Sequence, residues 1–208
     1  MIGVIDYGMG NLRSVLNAFD AIGKTARSVS EPTILESVSA IVLPGVGAFS
    51  DGMANLRDRG FVTALDEEVR RKGKPFLGLC LGLQLLAEKG TEHGDHTGLG
   101  WIAGTCKRIA VPPKNPDLRV PHIGWNDVEF SQDDGIYRDL GEAQAFYFVH
   151  SYVMHPDDPS IVTGRCDHGE NFAASIQLGH VSATQYHPEK SQGAGLKVLS
   201  NWCDLARC

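Results

Sequence analysis

The stretch Lys74–Gly90, KPFLGLCLGLQLLAEKG, runs an apolar segment into a cysteine flanked by glycines, Gly78-Leu79-Cys80-Leu81-Gly82. Pro75 to Leu79 reads as a buried strand, and Leu83, Leu85, Leu86 and Ala87 as the apolar stripe of the helix that follows. An ordinary strand-to-helix turn needs one glycine and a polar cap. Two glycines around a cysteine make the cysteine version of the G-x-S-x-G nucleophile elbow. They remove side chains that would clash as the chain turns, and the turn pushes the middle residue into strained exposure above the carboxyl ends of the strands. The first N–H groups of the helix, and its dipole, then favour thiolate over thiol. A buried cysteine filling a core gap is the competing reading, and this motif alone does not separate the two.

Outward from that corner, short apolar runs alternate with amphipathic segments. Ile2 to Asp6 and Ala40 to Leu43 read as strands. Leu12, Val15, Leu16, Phe19 and Ile22 recur at helical spacing up to Gly23, and a second helix is expected from about Gly52 to Arg71. This βαβαβα opening implies a parallel sheet covered by helices on both faces. Beyond residue 100 the pattern turns to strands: Trp101–Ala110, Gly124–Phe130, Ala145–Met154, Ile161–Cys166 and Ala173–Gln185, the last folded into a hairpin at Gly179. Ser191–Leu205 returns to helix. Pro112–Pro116 reads as a surface loop, so the expected architecture is one α/β domain over residues 1–208, a mostly parallel sheet with added antiparallel strands.

Bulk properties narrow the partners. The 208 residues carry a net charge of −6, with 42% apolar and 21% charged residues, as in an ordinary globular protein. That balance argues against nucleic-acid binding, and no apolar run approaches a membrane span. The opening MIGVIDYGMG reads as a strand, not a signal peptide. The five cysteines, 80, 106, 166, 203 and 208, form no C-x-x-C pair, which points to reduced thiols in a cytoplasmic setting and to no zinc site. Gly8-Met9-Gly10 is a lone G-x-G with Arg13 in the third glycine position, so a plain tight turn is favoured over a nucleotide site. His93-Gly94-Asp95-His96 lacks a third metal ligand at a convincing spacing and reads as a solvated loop. Neither cofactor nor metal is expected.

A thiol nucleophile needs a base, and the base an orienting group. Of the eight histidines, His187 in Thr184-Gln185-Tyr186-His187-Pro188-Glu189-Lys190 is best placed, at the end of an apolar strand and before a helix. Pro188 is expected to hold the chain extended, which puts Glu189 on the same side as His187. Cys80, His187 and Glu189 thus make a candidate triad. An oxyanion site is sought in Leu43-Pro44-Gly45-Val46-Gly47-Ala48, a glycine-rich loop at the same sheet end, whose peptide near Val46–Gly47 could act with the N–H of Leu81. A loop serving only as a connector is the alternative.

These features resemble the class I (triad) glutamine amidotransferases, whose fold is a flavodoxin-like sheet flanked by helices. Ile5–Val15, Leu43–Gly47, Pro121-His122-Ile123-Gly124-Trp125-Asn126, Phe148-Val149-His150-Ser151-Tyr152 and Ala183–Ser191 further resemble one branch, the glutaminase subunits of imidazole glycerol phosphate synthase. They span nearly the whole chain. The resemblance implies hydrolysis of L-glutamine to glutamate and ammonia, with Gln84, Gly47, Ser151 and Tyr152 positioning the substrate and Val46 turning its peptide toward the oxyanion. It also implies a heterodimer with a (β/α)₈ cyclase that takes up the ammonia. That cyclase makes imidazole glycerol phosphate and aminoimidazole carboxamide ribotide in histidine biosynthesis. Tyr7 to Arg13, with Asn11 and Arg13 among them, and Trp125, Asn126 and Lys190 would face that cyclase. Tyr186 departs from the phenylalanine common in the family, a change expected to leave the histidine undisturbed. Two other readings share the triad: a paralogous glutaminase feeding another synthase, such as one building amidino sugars, and a stand-alone γ-glutamyl hydrolase.

Overall fold

The computed structural model describes residues 1–111, 118–130 and 135–208, so the proline-rich break at Pro112–Pro116 lies outside the described residues. The first half runs β1 (Ile2–Ile5), α1 (Leu12–Ala21), β2 (Ala26–Val29), β3 (Ala40–Leu43), α2 (Phe49–Asp58), α3 (Phe61–Leu65) and β4 (Phe76–Leu79). A single turn, α4 (Leu81–Gln84), leads to β5 (Ala87–Gly90), β6 (His96–Thr97) and β7 (Ile102–Arg108). Then follow β8 (His122–Phe130), β9 (Ala143–His150), β10 (Tyr152–Pro156), β11 (Val162–Asp167), β12 (Asn171–Leu178), β13 (Val181–Thr184) and α5 (Gln192–Ala206).

Among the described residues these strands form a nine-stranded sheet, β2-β1-β3-β4-β13-β12-β11-β8-β9, and a four-stranded sheet, β10-β7-β5-β6. The large sheet is parallel from β2 to β13 and antiparallel beyond. Alternation along the buried strands feeds two cores. Ile41, Leu43 and Phe76 face α2, α3 and the small sheet, whereas Ala40, Val42, Leu77 and Leu79 face α1 and α5. Each fully buried aliphatic side chain contributes about 1.5–3 kcal/mol relative to exposure, so these two layers set the sheet's orientation.

Several expectations are corrected. The helix expected over residues 52–71 breaks at Gly60, whose φ of 75° ends α2 and restarts the chain as α3. The helix expected through Ala87 stops after one turn, because Leu85 and Leu86 are claimed by the gap between the two sheets and Ala87 begins β5. The strand expected over Ala145–Met154 splits at Ser151, its halves lying in different sheets. Edge strand β2 carries no apolar signal in the sequence, since Arg27 and Ser28 in its middle are exposed and interrupt any apolar run.

Candidate active site

Three neighbouring strands deliver the candidate residues to one sheet end. Leu43 pairs with Gly78 and Thr184 with Leu79, so the chain leaves β3, β4 and β13 side by side at their carboxyl ends. The flanking glycines make this corner possible by close approach. A Cβ on Gly82 would sit 2.0 Å from the Leu43 carbonyl oxygen, and one on Gly78 would sit 2.7 Å from the Gly82 carbonyl oxygen. The strain is on Cys80 itself, at φ 53° and ψ −104°, a region that side-chain-bearing residues rarely enter. Hydrogen bonds hold it there: its N–H donates to Thr184 O at 2.8 Å, and its carbonyl accepts from the Leu83 N–H at 3.0 Å. Because α4 is a single turn, the helix dipole expected behind the sulfur is reduced to its terminal N–H groups.

His187 arrives from β13. Its N–H donates to Tyr147 O at 2.9 Å, and the Ser191 hydroxyl donates to its carbonyl at 2.6 Å. Nδ1 lies 2.8 Å from Glu189 Oε1, with both side chains almost wholly buried. The two do not meet along an extended chain, as expected. Pro188 instead starts a single 3₁₀ turn, Pro188–Lys190, and that turn swings Glu189 back under the ring. Nε2 makes no closed hydrogen bond and faces the Cys80 sulfur. Burial disfavours a charged ring, but the negative charge of the facing Cys80 sulfur, then the Glu189 carboxylate bonded to Nδ1, outweigh it and raise the imidazole pKa to about 10. Tyr186 accommodates its extra hydroxyl: its OH donates to Tyr137 OH at 3.0 Å, which donates to Ser175 Oγ at 2.6 Å.

Cys80 lies at a cavity of about 550 Å³ whose lining includes Val46, Gly47, Leu81, Gln84, Ser151 and Tyr152. The Leu81 N–H is directed at the Gly45 carbonyl, 3.4 Å away, and Gly47 has φ 105°. Lys190 also lines this cavity, with its ammonium 5.9 Å from the Tyr147 ring centroid. Trp125, half exposed, meets the same ring edge-on at 6.2 Å. Arg13 is exposed. Asn11 caps α1 by accepting from the Ser14 N–H at 3.3 Å, and the Asn126 amide is turned inward. Tyr7 is fully buried rather than part of an outer surface.

The geometry and the sequence converge on one family. The class I glutamine amidotransferase description matches residues 3–204. This chain belongs to the class I glutamine amidotransferases. The amidotransferase is 44% identical over 207 residues to the "Imidazole glycerol phosphate synthase subunit HisH" of Syntrophotalea carbinolica, covering 99% of this chain and 100% of that one. It is 48% identical over 200 residues to the protein of the same name from Aquifex aeolicus, covering 96% and 94%. Its fold matches a glutamine amidotransferase crystal structure with TM-score 0.76 at 20% identity, covering 100% of this chain and 99% of that one. It also matches PurLQS from Thermotoga maritima with TM-score 0.76 at 19% identity, covering 98% and 97%.

The amidotransferase also places at the site two residues that no sequence motif marks. Glu92, in a loop expected to be solvated surface, lines the cavity with Oε2 accepting from the Phe49 N–H at 2.9 Å. Gln185 donates to the Cys80 sulfur. Nothing in the local pattern of either residue signals this, since β5, β13 and their neighbours must assemble first. Among the described residues no group of three or more His, Cys, Asp or Glu is arranged to hold a metal, His93–His96 included. No helix among them is long and apolar enough to cross a membrane.

Proposed function

We propose that this chain is the glutaminase subunit of an imidazole glycerol phosphate synthase, acting as one amidotransferase domain in the cytoplasm. One observation carries the chemistry: strained Cys80 at the cavity, with a buried His187–Glu189 pair at 2.8 Å beside it. L-Glutamine enters with its side-chain amide toward the sulfur. Glu92, the carboxylate in the lining, meets its ammonium group, and Gln84, Ser151 and Tyr152 hold its main-chain end. The sulfur attacks the amide carbon, and the carbon–oxygen bonding electrons move to oxygen. The Leu81 N–H then exchanges the Gly45 carbonyl for that oxyanion, and the Val46–Gly47 peptide turns to supply a second donor. The His187 imidazolium protonates the amide nitrogen, and ammonia leaves as the γ-glutamyl thioester forms. Neutral His187 next takes a proton from water, whose oxygen attacks the thioester. Collapse breaks the carbon–sulfur bond and releases glutamate, and Glu189 steadies the ring throughout.

Ammonia is mostly protonated and non-nucleophilic at neutral pH, which favours direct delivery to a docked cyclase. Identity above 40% over nearly the full length to subunits of this synthase supports that partner over an amidino-sugar synthase or a stand-alone hydrolase. The test measures glutamate release by wild type and Cys80→Ala, each with and without the cyclase loaded with its ribotide. Only wild type with the loaded cyclase should be fast, and ammonium at high pH should restore cyclase turnover in the mutant complex. Brisk turnover by the isolated chain, or activity in Cys80→Ala, would contradict the reading.

A further inference from the structure

Below the cavity lies a hydrogen-bonded chain of which the scheme above uses only Gln84 and Tyr152, and its polarity can be worked out atom by atom. Gln185 follows β13, is fully buried, and holds its backbone N–H on Ala174 O at 2.8 Å. Its Nε2 lies 3.7 Å from Cys80 Sγ. A buried amide can be placed either way round, but here its neighbours decide. The Tyr152 carbonyl can only accept, so Gln84 must present Nε2 to it, at 2.8 Å. The second Gln84 N–H then reaches Gln185 Oε1 at 3.1 Å. Gln185 therefore turns its oxygen to Gln84 and its NH₂ to the sulfur.

The same carbonyl fixes a second branch. His150 lies with Nδ1 3.0 Å from Tyr152 O, so Nδ1 carries the proton and Nε2 is an acceptor. His122 Nδ1 donates to it at 3.1 Å, which leaves His122 Nε2 to accept from Asn126 Nδ2 at 3.3 Å. Asn126 spends its other proton on Asp167 O at 2.8 Å. This alternation requires both rings to be neutral. Burial lowers His150 to about 3 and His122 to about 4, which keeps them so.

We propose that Gln185 is a further member of the active site, its amide N–H held against the Cys80 sulfur to stabilise and aim the thiolate. The Tyr152 carbonyl, clamped by Gln84 on one side and by His150, His122 and Asn126 on the other, keeps Gln185 turned that way. The inference rests on the reading of Cys80 as nucleophile. It assigns to one side chain the anion support that the single turn of α4 is too short to give.

The test compares Gln185→Met, similar in length but without a donor, with Gln185→Asn, whose amide falls one methylene short. Each is assayed for glutaminase activity in complex with the ribotide-loaded cyclase. The rate of Cys80 alkylation by iodoacetamide at neutral pH is followed in parallel by peptide mass. Loss of a hydrogen bond to a charged sulfur should lower kcat by about 10- to 100-fold with little change in KM, and slow alkylation by about tenfold or more. A packing role predicts instead that Gln185→Met keeps both rates. Wild-type kcat and alkylation in a folded Gln185→Met overturn the proposal.

Cys80→Ala runs alongside: activity there sinks the nucleophile assignment, whereas its inactivity beside a fully active Gln185→Met sinks only the role of Gln185. The unsubstituted side chain gives a readout that does not depend on any Gln185 variant folding. The Gln185 amide proton resonance should move when Cys80 is replaced by alanine, and an unmoved resonance also overturns the proposal.

Discussion

His187 is held in its charged form by two neighbours that the unfolded chain does not keep in place. Its pKa in the folded protein, about 10, stands above the ordinary value of 6.5. Folding therefore favours the protonated ring, and the stabilisation is complete below the unfolded value and fades as pH climbs through the folded one. We expect the stability difference between wild type and His187→Gln, measured by urea denaturation, to be largest near pH 6 and to shrink steadily towards pH 10. A difference that grows over that window would show that the ring is neutral at rest. At this scale the placing of Cys80 and of the His187–Glu189 pair at one sheet end was legible from two short motifs, whereas the 3₁₀ turn that brings Glu189 to the ring was not. Gln185 and Glu92 were not, because their meaning comes from which distant sulfur or cavity wall they face.

Elements were legible where a run of apolar residues had one owner. β1, β3 and β4 are buried on both faces and stand out as short apolar stretches. The segment after Cys80 has two claimants, the elbow's helical turn and the small sheet, so its leucines carry no clean period and the expected helix was too long. The elbow is also where one methyl group should do the most damage. In Gly82→Ala the new Cβ would meet the Leu43 carbonyl oxygen at 2.0 Å, with rigid backbone on both sides. The Leu43–Gly45 segment must then move away from Leu81, which separates the oxyanion loop from the nucleophile. Overpacking of this kind costs about 1–3 kcal/mol. Urea denaturation should show that loss, and glutaminase activity should fall even where the protein remains folded. Wild-type stability in Gly82→Ala would mean that the elbow is not tightly packed.

Across the whole molecule, the parallel half of the large sheet carries the elbow while its antiparallel half presents a face to the outside. Along β8, His122 and Asn126 turn inward to the hydrogen-bonded chain, and Ile123 and Trp125 turn out, 61% and 48% exposed. We expect these two large exposed apolar groups to serve as a docking surface. This cluster is continuous with the cavity: Trp125 meets Tyr147, Lys190 lies over the same ring, and Lys190 also lines the cavity. A partner seated on Trp125 would thus stand next to the point where ammonia is released. Truncating a buried aromatic anchor costs about 2 kcal/mol or more of binding, a weakening of roughly thirtyfold. Trp125→Ala should therefore raise the dissociation constant for the cyclase by that order. It should leave the chain's own unfolding midpoint unchanged, since the ring supports no core, and ligand-stimulated glutaminase activity should recover at high cyclase concentration. Cyclase turnover fed with free ammonium should be indifferent to the substitution, because that route bypasses this chain. An unchanged dissociation constant would move the docking surface away from β8, and with it the expected exit for ammonia.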